Sequence, residues 1–200
     1  MILKSSNKIF QNAIVLTGGI ATGKSTVAKY LVEFGFDIID ADKISHKVLD
    51  KNYQKISKLF GKEYVNNRKV DRKKLGVLIF NNKSKKLELE NLLHPLIKEE
   101  IINISKELEK LNKIYFIDIP LFFEKQSYDI KKSIVVYTTP SIQLKRLINR
   151  DKCDKNIAQL KINNQLNIEK KRDLATYVIN NTKDIVYLEN EIKKLIKDLK

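Results

Sequence analysis

Three of the six glycines in the chain, Gly18, Gly19 and Gly23, fall within one short stretch that runs on into a lysine and a serine. The segment Gly18-Gly19-Ile20-Ala21-Thr22-Gly23-Lys24-Ser25 fits G-x-x-x-x-G-K-[ST], the phosphate-binding loop. Its glycines let the main chain wrap a polyphosphate so that successive N–H groups point at the oxygens. Lys24 is then placed to reach the β and γ phosphates, and the Ser25 hydroxyl to hold Mg2+. The helix that follows turns its positive end to the same anion, so Gly19, Ile20, Ala21, Thr22, Gly23, Lys24, Ser25 and Thr26 are the expected nucleotide-binding stretch. The triphosphate is ATP or GTP. ATP is favoured, because neither D-x-x-G nor N-K-x-D occurs.

Carboxylates at two further places suit phosphoryl transfer. Asp40-Ala41-Asp42 follows a short apolar run, so both acids should emerge at the carboxyl edge of a sheet, where ligands of α/β proteins bind. There a carboxylate can take the proton of an acceptor hydroxyl or hold Mg2+ through water; the alternative is that one of the two caps a helix beginning near Lys43. Asp42 is favoured for the chemical role, with Asp40 open between the two. Asp118 ends the apolar run IYFID, the form of a strand-end carboxylate that positions Mg2+. Arg146 and Arg150, four apart, share a helix face. They could close over the phosphates or form an exposed basic face paired with Asp151 or Asp154. His46 and His94 are the only histidines and stand far apart, so no zinc site is expected; His94-Pro95 instead marks a helix interruption. Cys153, the single cysteine, reads as an inert side chain.

The elements that must hold these residues alternate. Short apolar, β-branched runs at 13–17, 36–40, 114–118 and 133–138, with a weaker one at 176–179, predict five strands separated by stretches long enough for crossover helices. Parallel neighbours need such crossovers, which makes the class α/β with a parallel sheet covered on both faces. A helix is expected from Lys24 to about Phe34 with Gly35 as its C-terminal cap, and another over about 184–199. Between Asp42 and Lys113 no strand is expected, only amphipathic helices, which reads as an insertion. After Pro140, at the first turn of a helix, a polar stretch runs from about Leu144 to Arg172.

At 200 residues, 42% hydrophobic and 32% charged, the chain is too apolar for disorder and long enough for a real core. No apolar run approaches the roughly 18 residues of a membrane span, and MILKSSNKIFQNAIVL lacks the apolar stretch of a leader. With one cysteine, a reducing, cytoplasmic setting is expected. A net charge of +15 favours anionic partners, but the lysines alternate with acids along helical stretches, which reads as solvated faces and not as a nucleic-acid patch.

The sequence resembles the dephospho-coenzyme A kinase family from about Ile14 to Asn181. The likeness is carried by LTGGIATGKSTVA (16–28), IIDADKISHKVL (38–49), LLHPLI (92–97), DIPLFFE (118–124), QLKRLINRD (143–151) and VINN (178–181). It implies transfer of the ATP γ-phosphoryl group to the ribose 3′-hydroxyl of dephospho-CoA, with Mg2+, on a five-stranded parallel P-loop kinase core. Residues 1–42, 114–143 and 173–200 would form that core, 43–113 a helical CoA-binding subdomain, and 144–172 a lid. Carried over, Lys24 and Ser25 act on phosphate and metal, Asp118 on metal, Asp42 on the 3′-hydroxyl and Arg146 on the phosphates. His94, Pro95, Leu121 and Glu124 line the acceptor side, and Asn181 falls where the family contacts adenine. Two departures stand out: Ala175-Thr176 where the family has Ala-Asp, and Lys161-Ile162 where it has Arg-Ile ahead of Gln165. The expected partners are ATP and dephospho-CoA, with neither nucleic acid nor membrane. Against this stand another P-loop kinase of nucleosides or nucleotides, opposed by the HPL and DIPLFFE stretches, and a nucleic-acid-binding ATPase drawing on the charge.

Overall fold

The structure is a computed structural model that describes residues 9–199; residues 1–8, with which the expected core segment begins and on which the expectation about a leader falls, and Lys200 lie outside the described residues. In chain order, β1 (Ala13–Gly18) leads through the glycine-rich loop to α1 (Lys24–Glu33) and β2 (Ile38–Asp40). There follow α2 (Ala41–Lys51), α3 (Tyr53–Phe60), β3 (Val65–Asn66), β4 (Lys69–Val70), α4 (Arg72–Asn81) and α5 (Lys83–Glu109). The chain then forms β5 (Tyr115–Asp118), α6 (Phe122–Lys125), β6 (Lys132–Tyr137), α7 (Pro140–Asp151), α8 (Lys155–Asn163), α9 (Ile168–Leu174), β7 (Tyr177–Asn180) and α10 (Ile185–Asp198). It divides into two compact units, Asp40–Lys106 and the remainder of the described chain.

The larger unit carries the five-stranded sheet, in the order β2-β5-β1-β6-β7. β1 pairs in parallel with β5 and β6, and β6 with β7. All six residues of β1 are buried, as a central parallel strand requires. Alternation along β6 sorts side chains to two faces. Ile134 and Val136 join Ile14, Leu16, Phe116 and Ile179 against Val27 and Leu31 of α1 and Leu188, Ile192 and Leu195 of α10. Val135 and Tyr137 meet Ile168 of α9 on the other face. Each such fully buried aliphatic side chain contributes about 1.5–3 kcal/mol. After β5 the chain crosses to the far side of β1, so the order reverses at the carboxyl end of β1, where an open α/β sheet binds its ligands.

α1 ends as expected on Gly35, whose φ of 86° lets Phe36 N–H bond Leu31 O at 3.0 Å and Gly35 N–H bond Val32 O at 2.9 Å. α7 starts with Pro140 in its first turn and Thr139 as cap. α10 is capped by Asp184, which accepts from Tyr187 N–H.

The smaller unit is mainly helical around Ile44, Val48, Leu49, Ile56, Phe60, Leu75, Leu89, Leu93 and Ile101. Two expectations fail here. The stretch holds a small antiparallel pair, β3 with β4, turned by Asn67 and Arg68 at φ of 47° and 61°. Positive φ at both central positions matches the twist of a hairpin, and strands of two residues are too short for alternation to reveal. Nor does His94-Pro95 interrupt the chain: α5 runs through Pro95. Proline removes the N–H that would serve the Asn91 carbonyl, but Asn91, His94 and Pro95 are exposed, so water can take its place. Leu89, Leu93 and Ile101 anchor the helix on both sides of it.

Candidate active site

β1 delivers Gly18 to the carboxyl edge of the sheet, and the loop turns at once into α1. The turn needs Ala21 at φ 61° and Gly23 at φ 94°. A Cβ at Gly23 would also fall on the side-chain amide of Asn181, and one at Gly19 would lie 2.5 Å from Gln143 Nε2. Thr22, fully buried, closes the turn by donating to Gly19 O through its hydroxyl at 2.9 Å and its N–H at 3.3 Å. The first N–H groups of α1, including those of Lys24 and Ser25, have no acceptor within the helix, which leaves them for an anion. No acidic residue occupies that first turn to compete.

Lys24 Nζ donates to Asp118 Oδ1, the carboxylate at the end of β5. Asn181, just past β7 and buried, donates from Nδ2 to Thr22 O at 2.8 Å. Arg146 of α7 donates from Nη1 to Asn181 O at 3.0 Å and from Nη2 to Asn181 Oδ1 at 3.5 Å. One bonded chain thus runs Arg146–Asn181–Thr22, with Lys24–Asp118 beside it. The expected residues of the loop, Asp118, Arg146 and Asn181 meet although they are far apart in sequence.

The two arginines of α7 separate. Arg146 turns to the loop, whereas Arg150 pairs with Asp151 at 2.8 Å, the exposed arrangement. Asp151 also receives Lys161 of α8 at 2.5 Å, and the hydrogen bond from Arg150, followed by that from Lys161, lowers its carboxyl from 3.8 to about 2. Lys161, one of the departures from the family pattern, therefore ties α8 to the end of α7. The other, Thr176, accepts from Ser133 N–H at 3.1 Å and so joins the starts of β6 and β7.

Leu121 and Glu124 belong to the short α6 that follows Asp118. Leu121 is its cap residue; Glu124 Oε1 accepts from Leu166 N–H at 3.0 Å and pairs with Lys171 Nζ at 2.8 Å. Its Oε1 is engaged with the protein itself, whereas its buried Oε2 has no hydrogen-bond partner among the described residues. The remaining expected residues lie in the smaller unit, on different helices. Asp40 is the cap of α2, accepting from Lys43 N–H at 2.9 Å, and Asp42 is an exposed residue of its first turn. This resolves the pair: the cap is Asp40, which leaves Asp42 free of that task. His94 and Pro95 are exposed in the middle of α5.

Sequence reasoning missed the side chains that hold the loop from outside. Gln165 Oε1 accepts from Ile20 N–H at 2.7 Å, and Gln143 Nε2, almost wholly buried, donates to Ile20 O at 2.8 Å. Lys171 is completely buried and donates to Gly18 O and Pro120 O, each at 3.2 Å. α9, which carries it, is held to β6 by Tyr137, whose hydroxyl donates to Glu169 Oε1 at 2.7 Å; burial, then Glu169, raises that phenol. The one available signal was Ile168 and Lys171 three apart, an apolar residue and a lysine on one face of a run dominated by charge.

Among the described residues no cluster of three or more His, Cys, Asp or Glu could cage a metal. A Mg2+ ion does not need one, since it usually binds through one or two carboxylates together with substrate phosphates. The Asp118 carboxylate and the Ser25 hydroxyl, an exposed oxygen at the start of α1, fit that donor set.

A phosphate cradle between strand and helix, set at the switch point of a parallel sheet with a lysine inside it and an arginine fastened to its rim, defines a P-loop kinase. The family model "CoaE: Dephospho-CoA kinase" matches residues 12–186, and the chain belongs to that family. It is 44% identical over 191 residues to the dephospho-CoA kinase of Sulfurimonas denitrificans, covering 96% of each chain. It is 40% identical over 194 residues to that of Helicobacter pylori strain 26695, covering 96% of this chain and 99% of the relative. The solved structure of dephospho-CoA kinase from Campylobacter jejuni superposes with a TM-score of 0.78 at 39% identity, over 94% of this chain and 96% of that one. The protein is an enzyme, a phosphotransferase.

Proposed function

We propose that the chain transfers the γ-phosphoryl group of ATP to the ribose 3′-hydroxyl of dephospho-CoA, the last step of coenzyme A formation. The hydroxyl oxygen forms the new bond to phosphorus, the bond to the β–γ bridging oxygen breaks, ADP leaves, and the hydroxyl proton passes to Asp42. The observation that carries this reading is the loop network, Lys24 with Asp118 and Arg146 with Asn181 and Thr22, in a chain of this family.

Phosphoryl transfer asks a protein mainly for positioning and for charge stabilisation. The N–H groups of the loop orient the phosphates; Lys24 moves from Asp118 to the β and γ oxygens; Arg146 neutralises charge on the group in transit. Asn181, which already bridges Arg146 and Thr22, sets the adenine side. Ser25 and Asp118 would hold Mg2+, which supplies charge neutralisation on the β and γ phosphates. Asp42, free of capping, receives the proton. Residues 43–113 serve the acceptor, with His94 and Pro95 on α5, and Leu121 and Glu124 are further acceptor-side residues. Within residues 144–172, the part ahead of Gln165 forms the lid that excludes water and thereby prevents idle hydrolysis, while Gln165 and Lys171 stay bonded to the phosphate loop. The partners are small molecules and the setting is the cytoplasm. No helix among the described residues is long and apolar enough to cross a membrane.

The test is direct: purified protein, ATP, Mg2+ and dephospho-CoA, with mass detection of coenzyme A. Parallel reactions replace dephospho-CoA with nucleosides, nucleotides, RNA or DNA. ATP consumption that responds only to nucleic acid, or a phosphorylated nucleoside in place of coenzyme A, would overturn the proposal.

A further inference from the structure

We propose that the segment Gln165–Lys171 is a built-in brace that presets the phosphate loop, with Lys171 and Gln165 as positioning residues on either side of Gly19. The inference rests on the loop being the triphosphate site. Lysine is almost never fully buried unless its charge has partners. The exposure of Lys171 is 0%, and its three N–H donors meet three acceptors: Gly18 O at 3.2 Å, Pro120 O at 3.2 Å and Glu124 Oε1 at 2.8 Å. Gly18 is the last residue of β1 and the first of the loop. Pro120 lies two residues beyond Asp118, and its carbonyl also accepts from Thr17 Oγ1 at 3.1 Å. One side chain therefore fixes the start of the loop against the strand end that supplies the partner of Lys24.

The same segment grips the loop a second time. Gln165 Oε1 holds Ile20 N–H at 2.7 Å, and Glu124 Oε1, already on Lys171, holds Leu166 N–H at 3.0 Å, which locks the two ends of the brace together. Gly18 O and Ile20 N–H belong to the peptide planes that flank Gly19. Their orientation decides where the next amides, from Ala21 to Ser25, point. From inside the loop only Thr22 holds one of these planes, through Gly19 O; contacts from 145 and 153 residues away hold both from outside.

The experiment compares the unsubstituted full chain with Lys171→Met and Gln165→Ala by amide hydrogen exchange and by equilibrium titration with ADP and Mg2+. Both variants are expected to speed exchange across residues 18–24 by about tenfold or more while peptides of α10 exchange as before. The ADP dissociation constant is expected to rise about tenfold or more in Lys171→Met and about threefold in Gln165→Ala, with the dissociation constant for dephospho-CoA unchanged in Gln165→Ala. Faster exchange in the loop and α10 alike, with ADP affinity of the folded molecules unaltered, would reduce Lys171 to a structural filler and overturn the proposal. Gln165 has a partly exposed side chain, so should Lys171→Met fail to fold, unchanged exchange and ADP affinity in Gln165→Ala overturn it alone. An unsubstituted chain that ignores ADP, with loop exchange still governed by these residues, would remove the phosphoryl-transfer reading and leave the brace.

Discussion

Lys24, the first residue of α1, donates from its ammonium group to Asp118, the last residue of β5, so that the two charges proposed to act on phosphate and on metal neutralise each other beside the loop. The pairing follows from the register: Asp118 is the β5 partner of Leu16, two positions before the loop begins. A triphosphate with Mg2+ offers each charge a new partner, and the pair can part without leaving either side chain uncompensated. Lys24→Ala should lower turnover by about 10²–10³-fold, the cost of removing one donor aimed at developing charge. Asp118→Asn should raise the Mg2+ concentration at half-maximal rate. Steady-state rates at varied ATP and Mg2+ measure both, and an unchanged Mg2+ dependence would free Asp118 from its metal role.

Asp40 is occupied by the capping bond from Lys43 N–H, a task that Asp42, the proposed base, does not share. Asp42→Asn keeps the shape but not the basicity. Turnover should fall by about 10²–10⁴-fold, the range of general base catalysis, with ATP affinity nearly intact. An Asn variant of normal rate would reject the base assignment.

Gly23 combines a left-handed backbone with a wall made by Asn181. Gly23→Ala meets a backbone cost of about 1–3 kcal/mol and must also push Asn181 off the Thr22 carbonyl. Weaker ADP binding is expected together with a lower melting temperature. Normal binding with lowered stability would show the loop tolerates losing the Asn181 contact.

Pro95 sits within α5 at an exposed position. Pro95→Ala restores a helical N–H and should stabilise the protein by up to about 3 kcal/mol, read from urea unfolding. If Pro95 serves the acceptor, the same variant raises KM for dephospho-CoA and leaves KM for ATP alone. A loss of stability would assign the proline to packing.

Asp151 joins Arg150 of α7 to Lys161 of α8. Folding lowers its carboxyl from 3.8 to about 2, so its contribution to stability is complete above the ordinary value and is lost as pH falls from there toward 2. Following the carboxyl by NMR should give a midpoint near 2 that moves up in Arg150→Ala and, by less, in Lys161→Ala. A midpoint at the ordinary value in the unsubstituted chain would show that the pairs do not form.

Much of this protein lies open in local pattern. The phosphate loop, the alternation of apolar strands with helices, the Gly35 cap and the strand-end Asp118 are each read from neighbouring residues, because backbone geometry and side-chain period act over a few positions. The β3–β4 pair escaped for lack of length, and α5 continued through Pro95 because burial on one face outweighed one missing bond. What holds the loop was hidden for another reason. Asn181 reaches Thr22 across 159 positions, Lys171 reaches Gly18 across 153 and Gln143 reaches Ile20 across 123. A lysine inside a charged run reads as solvated until the packing of α9 against β6 takes away its water. The sequence by itself determined which groups could bind a triphosphate; the tertiary structure decided which of them share one network, because only the folded chain brings distant donors and acceptors within a hydrogen bond of each other.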